Sequence, residues 1–259
     1  MNAVTVKTCS GLLWAFCGLS SASQTLAETQ WVGRFSENFL AGSATIPAPW
    51  RSEQIDARVP PTRYALRRWD GVLAVEARAH NSMALLIRPL TIDLKKTPIL
   101  CWQWRIDAPV AAADMTRKAG DDYAARVYLA FAVPPESLSL ATRAQLRLAR
   151  SVFGQHLPDA AINYVWDNRH PIGTWQDNAY TDRARMLVLR SGAAQAGGWV
   201  LERRNVAQDF QHAFGDIGGE LRALALASDT DNTGGEAHAG FADFRFVGAA
   251  DDCLPPDRH

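Results

Sequence analysis

The stretch Ile99-Leu100-Cys101-Trp102-Gln103-Trp104-Arg105-Ile106 decides the fold, because its polar and apolar side chains alternate. Successive side chains of a β-strand point to opposite faces of its sheet. One face therefore carries Leu100, Trp102, Trp104 and Ile106, and the other carries Cys101, Gln103 and Arg105. The pattern predicts a strand with one buried face, and it assigns both tryptophans to core packing.

The segment Tyr123–Val133 shows the same alternation and predicts a second strand. The residues predicted to face the core are Tyr123, Ala125, Val127, Leu129, Phe131 and Val133. Arg126 and Tyr128 are predicted to point the opposite way, beside the small residues Ala124 and Ala130. Small neighbours leave room for a ligand across that face.

The remaining chain indicates a mainly β protein with one domain over residues 28–250 and a tail at 251–259. Strand-like runs separated by turn residues are typical of an all-β sandwich. Two helices interrupt them, at about 137–153 and 205–214. Asn205 is a plausible N-cap of the second helix, and Gly215 is the C′ residue that follows its end.

Charge and targeting signals favour an exported protein. The 27 basic and 27 acidic residues cancel, so no basic excess favours nucleic acid. Residues 1–27 resemble a signal peptide, with Lys7, a short apolar run and the cleavage signal Thr25-Leu26-Ala27. The apolar run is too short to span a bilayer, so no transmembrane segment is expected. The expected location is the periplasm or the exterior.

Two cysteines, Cys101 and Cys253, lie outside the predicted signal peptide. A pair of cysteines in an oxidising compartment is compatible with a disulfide bond. The alternative is that Cys101 is a small apolar residue of its strand and Cys253 an unrelated thiol of the tail.

Four polar motifs mark the ends of strand-like runs: Gly120–Arg126, Tyr164–Asn168, Tyr180–Arg183 and Ser228–Glu236. Loops at one end of a sandwich gather residues from distant strands. The motifs are therefore expected to converge, although the first and last are more than 100 residues apart.

The motifs supply candidate catalytic and ligand-binding residues. Asp121, Asp122 and Asp231 are candidates for the acid or base of glycoside hydrolysis, which needs two carboxyl groups at a defined separation. The alternative is a structural ion pair with Arg126 or Arg183. The candidate ligand-binding residues are Arg126, Tyr128, Trp166, Asn168, Asp182, Arg183, Asp229 and Asn232. Trp166 shares a strand face with Ile162 and Tyr164, so it fits the core equally well.

The last motif is also a candidate calcium loop. Asp229, Asp231, Asn232 and Glu236 offer oxygen ligands beside flexible glycines, which suits calcium. Their spacing is not that of an EF-hand, and a turn held by Asx hydrogen bonds explains the same residues. No other cofactor is indicated.

The chain resembles the bacterial family named domain of unknown function 3047 (DUF3047) from about Phe35 to Phe246. Besides the four polar motifs, the resemblance includes Leu90-Thr91-Ile92-Asp93, Trp102-Gln103-Trp104-Arg105, Asn205-Val206-Ala207-Gln208-Asp209-Phe210 and the segment up to Arg190. It implies a secreted antiparallel jelly-roll β-sandwich that is similar to carbohydrate-binding modules. By fold analogy it also implies a calcium site between Glu37 and Asp243. Cys101 replaces an aliphatic residue, so a disulfide would be particular to this chain.

Three functions fit these observations. The first is binding of a glycan or another polar ligand. The second is a glycoside hydrolase or polysaccharide lyase on the same scaffold, and the third is a structural envelope protein without a ligand.

Overall fold

A computed structural model describes residues 1, 28–35, 45–153 and 157–254. Residues 2–27 of the predicted signal peptide, Glu37 and the last five residues of the tail lie outside the described residues. The described strands are β1 (Gln30–Gly33), β2 (Arg51–Glu53), β3 (Arg63–Trp69), β4 (Val72–His80), β5 (Leu85–Pro89), β6 (Ile99–Ile106), β7 (Ala125–Ala132), β8 (Ala160–Asp167), β9 (Trp175–Asn178), β10 (Thr181–Ser191), β11 (Val200–Asn205), β12 (Glu220–Ala227) and β13 (Glu236–Val247). The helices are α1 (Leu140–Phe153) and α2 (Val206–Phe214), with 3₁₀ turns at Lys118–Gly120 and Pro135–Ser137.

Within the described residues, the strands form two sheets. A six-stranded sheet has the order β11-β6-β13-β4-β3, with β1 also paired to β13. A seven-stranded sheet has the order β2-β5-β12-β7-β8-β10-β9. The strand pairs are antiparallel, except that β8 and β10 run parallel. The intervening strand β9 runs in the opposite direction and pairs with the outer edge of β10. The predicted mainly β sandwich is confirmed, with this one parallel pair added to the antiparallel pattern.

The core lies between the sheets and is rich in aromatic rings. Trp102 and Trp104 of β6 are fully buried, as the alternation predicts. Trp102 stacks on Tyr164 of the facing sheet at 5.5 Å between ring centroids, and Trp104 meets Trp166 at 5.8 Å. These contacts join the two sheets.

Both predicted helices are present. Asn205 caps α2, since its side-chain oxygen accepts a hydrogen bond from the Gln208 amide. Phe210 of α2 packs on Phe131 of β7 with 4.5 Å between ring centroids. The helix therefore covers one end of the core, opposite to the start of β7. Among the described residues no helix is long and apolar enough to cross a membrane.

The outer face of the seven-stranded sheet carries Arg126 and Tyr128, as predicted. Tyr123 was expected on the core face, and this expectation is wrong. The strand begins only at Ala125, so the alternation does not extend back to Tyr123. Tyr123 instead packs with Met186 and Val165 in a separate apolar cluster.

The tail is joined to the six-stranded sheet. Cys253 forms a disulfide bond with Cys101 of β6, with a Cα–Cα distance of 5.4 Å. The Arg203 guanidinium also donates a hydrogen bond of 2.8 Å to the Ala249 carbonyl.

Candidate functional site

A pocket of about 250 Å³ opens on the outer face of the seven-stranded sheet. Its lining residues are Ile55, Asp56, Val59, Met83, Asp121, Arg126, Tyr128, Tyr180, Asp229, Asp231 and Asn232. Asp121 precedes β7 and Asp229 follows β12, and these neighbouring antiparallel strands pair Arg126 with Ala227. The start of one strand therefore meets the end of the other, which brings the first and last polar motifs together.

Arg126 lies at the floor of this pocket and is almost fully buried, with 3% exposure. Its Nη1 donates to Asp229 Oδ2 at 3.0 Å, and its Nη2 lies 3.3 Å from Asp121 Oδ1. The rings of Tyr123 and Tyr128 flank the guanidinium at 4.6 and 4.8 Å from their centroids. A buried guanidinium requires such partners, because an unpaired charge there is strongly destabilising.

Asp122 organises the loop that follows β12. Its Oδ1 accepts a hydrogen bond of 3.2 Å from the Asn232 amide. Its Oδ2 accepts two more at 2.6 Å, from the amide and the hydroxyl of Thr233. This fully buried carboxylate therefore fixes a loop 110 residues further along the chain.

The carboxyl groups of Asp122, Asp229 and Asp231 lie close together beside Arg126. One oxygen each of Asp122, Asp229 and Asp231 lies within 4.8 Å of the other two. Burial raises the pKa of Asp229 well above its usual value; the charge of Arg126 lowers it, and the negative charges of Asp121, Asp122 and Asp231 raise it. Burial and the charge of Asp122 also raise the pKa of Asp231. Burial and the neighbouring negative charges therefore favour the protonated form of these two carboxyl groups.

Two oxygens of this carboxylate group have no hydrogen-bond partner among the described residues. They are Asp229 Oδ1 and Asp231 Oδ1, and both atoms are buried. Asn163, which is fully buried beside Tyr128 on the same sheet face, likewise leaves both atoms of its amide without a partner. Buried polar groups are normally hydrogen-bonded. Buried polar atoms without a partner near a pocket therefore indicate that a polar ligand binds there.

The pocket has apolar walls as well as acidic groups. Tyr180 forms one side, 55% exposed, with its hydroxyl 3.3 Å from the Lys118 carbonyl oxygen. Ile55, Val59 and Met83 form the other side. Sequence reasoning did not find these three residues, since they lie in loops without a recognisable pattern.

Several candidate ligand-binding residues lie elsewhere. Trp166 is 1% exposed and packs in the core, where its ring nitrogen donates to the Gly192 carbonyl, so its assignment to a binding face is corrected. Asn168 donates to the carbonyls of Ala111 and Ala113 and supports a loop.

Asp182 and Arg183 lie toward the other end of the sheet. Arg183 donates to the Asp159 carbonyl at 2.8 Å, at the start of β8, whereas Arg126 pairs with Val165 near the end of that strand. Asp182 is exposed on the same strand segment. The structure therefore corrects their assignment to a common site with Arg126.

The aspartate cluster could hold a metal ion, but its ligands differ from the predicted calcium set. Glu236 turns away, because its Oε1 lies 3.1 Å from Nδ1 of His80. Asp122 takes its place in the cluster. The other predicted acid, Asp243, accepts a hydrogen bond from Gln103 on the six-stranded sheet, and Glu37 lies outside the described residues.

A larger cleft of about 860 Å³ lies on the six-stranded sheet, but most of its charged groups already form ion pairs. His238 contacts Asp107 at 2.6 Å and Glu76 at 2.8 Å. Burial alone would raise the pKa of Glu76, but hydrogen bonds from Arg78, Arg67 and His238 lower it to about 2. The smaller pocket, with unsatisfied buried oxygens, is therefore the better candidate site.

Solved structures with a similar arrangement are distant in sequence. A family 12 glycoside hydrolase is 11% identical, with 79% of this chain and 99% of that chain covered and a TM-score of 0.39. The xyloglucanase domain of NopAA, a type three effector from Sinorhizobium fredii, in complex with cellobiose, is 9% identical over 77% of this chain and 92% of its own, with a TM-score of 0.38. Endoglucanase 3 from Trichoderma harzianum is 7% identical over 79% and 99%, with a TM-score of 0.36. These values are too low to support an inference about function.

No curated protein matches the chain significantly. The family model described as "Protein of unknown function (DUF3047)" matches residues 48–245, which is more than half of the 259 residues. The chain therefore belongs to the DUF3047 family.

Proposed function

We propose that this protein binds a glycan in the pocket above Arg126. The observation that supports it is the pair of buried, unpartnered oxygens, Asp229 Oδ1 and Asp231 Oδ1, beside the exposed ring of Tyr180. Sugars present hydroxyl donors on their edges and apolar C–H groups on their faces. Acceptors beside an aromatic wall match both features.

A screen of the purified protein against a glycan array tests this proposal. We expect a hit whose affinity falls roughly threefold to tenfold in Tyr180→Ala, because the stacking contact is worth about 0.5–1.5 kcal/mol. The matched control is Ile172→Ala, since Ile172 is similarly exposed, at 61%, but does not line the pocket. Equal loss in both variants, or no glycan bound at all, would refute the proposal.

Hydrolysis of the bound glycan is a second candidate, and the raised pKa values of Asp229 and Asp231 favour it. Glycoside hydrolysis needs one carboxylic acid that still holds its proton and one ionised carboxylate. Two carboxyl groups that lie close together meet this requirement, because repulsion between their negative charges favours a proton on one of them. One oxygen of Asp229 and one of Asp231 lie within 4.8 Å of each other, close enough for the two carboxyl groups to act on the same glycosidic bond.

The test of this second candidate is the length of the glycan after incubation. An active enzyme should shorten it, Asp229→Asn and Asp231→Asn should each abolish the cleavage, and Asp231→Asn should still bind. An unchanged length with the parent protein would exclude hydrolysis of that glycan while leaving binding intact.

We also propose that the chain is exported to the periplasm or beyond. The Cys101–Cys253 disulfide supports this, because such bonds persist in oxidising compartments. N-terminal sequencing of the protein from the cell envelope should start at Glu28, and a start at Met1 would contradict cleavage.

A further inference from the structure

The pocket carries an excess of negative charge. Four carboxyl groups, those of Asp121, Asp122, Asp229 and Asp231, lie around the single guanidinium of Arg126. Even with one of them protonated, three negative charges face one positive charge. The two ion pairs of Arg126 are with Asp121 and Asp229. Among the described residues, no cationic group lies within ion-pair distance of Asp122 or Asp231; Lys118 packs on the Tyr180 ring instead, at 5.2 Å. Buried charges require compensation, so the occupant of this pocket should be positive.

The free acceptors show where that positive charge would lie. Both oxygens of Asp122 already accept hydrogen bonds from Asn232 and Thr233. Asp229, with 2% exposure, and Asp231 each keep one buried oxygen without a donor. A hydroxyl has one donor hydrogen, whereas an ammonium has three and a full charge. One ammonium can therefore satisfy both oxygens at once.

The apolar walls show that the occupant is larger than a bare ion. Ile55 and Tyr180 are each 55% exposed at the rim, and Met83 and Tyr128 continue the lining inward. A volume of about 250 Å³ accommodates a ring and not only an atom. Calcium would need six to eight oxygen ligands and would leave these apolar side chains without a role.

We propose that the pocket selects a sugar residue with a free amino group, whose ammonium binds between Asp229 and Asp231 while its ring packs against Tyr180. This inference rests on the proposed glycan binding and names the class of sugar. The ammonium would also relieve the repulsion within the aspartate group, which a neutral sugar cannot do.

Calorimetric titration with three oligosaccharides of equal length tests the selection: oligomers of glucosamine, of N-acetylglucosamine and of glucose. We expect the glucosamine oligomer to bind at least about tenfold more tightly than the other two, and this difference to shrink as salt is added. Asp231→Asn should lose the preference while it keeps the weaker neutral binding. Asp182→Asn is the matched control, because Asp182 is an exposed acid that does not line the pocket, and it should behave like the parent protein.

Each outcome has one meaning. Equal affinity for the three oligomers would overturn the selection and leave the proposed function standing. No binding of any oligosaccharide, here or on the array, would overturn both. A glucosamine preference that survives in Asp231→Asn would show general electrostatic attraction and refute the site. Neutral binding that appears with calcium and vanishes with a chelator would assign the aspartates to a metal and would also refute it.

Discussion

At the scale of single residues, Arg126 determines the electrostatics of the pocket. Its guanidinium is shared between Asp121 and Asp229, and two tyrosine rings cover its faces. The alternation in β7 predicted that Arg126 leaves the core, and the acids around Asp121 suggested an ion-pair partner. The partner from the other end of the chain, Asp229, could not be predicted, because it depends on which strands become neighbours.

We expect Arg126→Met to lower the free energy of unfolding by about 3–5 kcal/mol, because it leaves Asp121 and Asp229 buried without a counter-charge. Urea unfolding at pH 7 measures this. The control is Arg222→Met, since Arg222 is exposed and forms an ion pair with the exposed Glu220; its effect should stay within about 0.5 kcal/mol. Equal stability of the two variants would show that the buried network is not needed.

Asp231 should make stability depend on pH in a direction opposite to that of a salt-bridged acid. Its pKa is raised in the folded chain above the usual value of 3.8. Between the unfolded-state pKa of Asp231 and its higher folded-state pKa, the folded state binds more protons than the unfolded state. The free energy of unfolding therefore falls as the pH rises from the first pKa to the second. Asp231→Asn removes this pH-dependent loss of stability and should raise the Tm at pH 7.

Thermal melts of the parent protein and Asp231→Asn from pH 3.5 to pH 8 check this prediction. The two curves should meet at the acid end and diverge as pH rises. A constant difference, or a variant that is less stable at pH 7, would contradict the raised pKa.

At the scale of elements, the loop before β7 positions the acids. Gly120 ends a 3₁₀ turn in close contact with the backbone of Asp114, where a Cβ atom would lie 2.8 Å from the Asp114 nitrogen and oxygen. The sequence indicated a polar loop at Gly120–Arg126, but this close approach has no sequence signature. It is set by residues 113–117, which showed no pattern.

Gly120→Ala should therefore displace Asp121 and Asp122 and weaken ligand binding more than its small size suggests. The neighbour is backbone, which cannot move aside easily, so we expect a loss of about 1–3 kcal/mol of stability as well. Gly198→Ala is the control, because a Cβ there meets nothing within 4 Å and its backbone is not left-handed. Chemical denaturation and titration of both variants measure the effects, and identical behaviour would contradict the steric argument.

The loop after β12 was a candidate calcium loop that included Glu236, with a turn held by Asx hydrogen bonds as the alternative, and the strand register removes Glu236 from the candidate ligands. Glu236 begins β13 opposite His80 of β4, which places it on the other sheet. We expect the Tm to stay constant from chelator to about millimolar calcium, since the oxygens of Asp122 are already engaged. A Tm that rises with calcium in the parent protein and not in Asp231→Asn would place the ion in this loop.

At the scale of the whole molecule, the sequence predicted the sandwich and its two helices because alternation and capping are local signals. The sequence did not decide which sheet face Trp166 lies on. Every residue of β8 is buried, so the strand shows no alternation of polar and apolar residues. Asn163 of β8 was missed for the same reason, whereas Tyr123 was placed on the core face because the alternation was extended beyond the start of β7. The convergence of the first and last motifs was expected, because loops gather at one end of a sandwich. The pairing of β7 with β12 that produces it depends on strand order, which no local pattern contains.

The Cys101–Cys253 bond is the longest-range covalent link in the described chain, with a separation of 152 residues. By the chain-entropy model, closing so long a loop stabilises the fold by about 4–5 kcal/mol, because it restricts the unfolded chain. Cys253→Ser should lose most of this in urea unfolding, while Cys101 remains a small buried side chain. Glycan affinity should not change, since the bond lies on the six-stranded sheet and the pocket on the seven-stranded sheet.

Addition of a reductant to the unfolded parent before refolding should bring its stability to that of the variant. Equal stability of the oxidised parent and the variant would show that the bond is absent in the native protein.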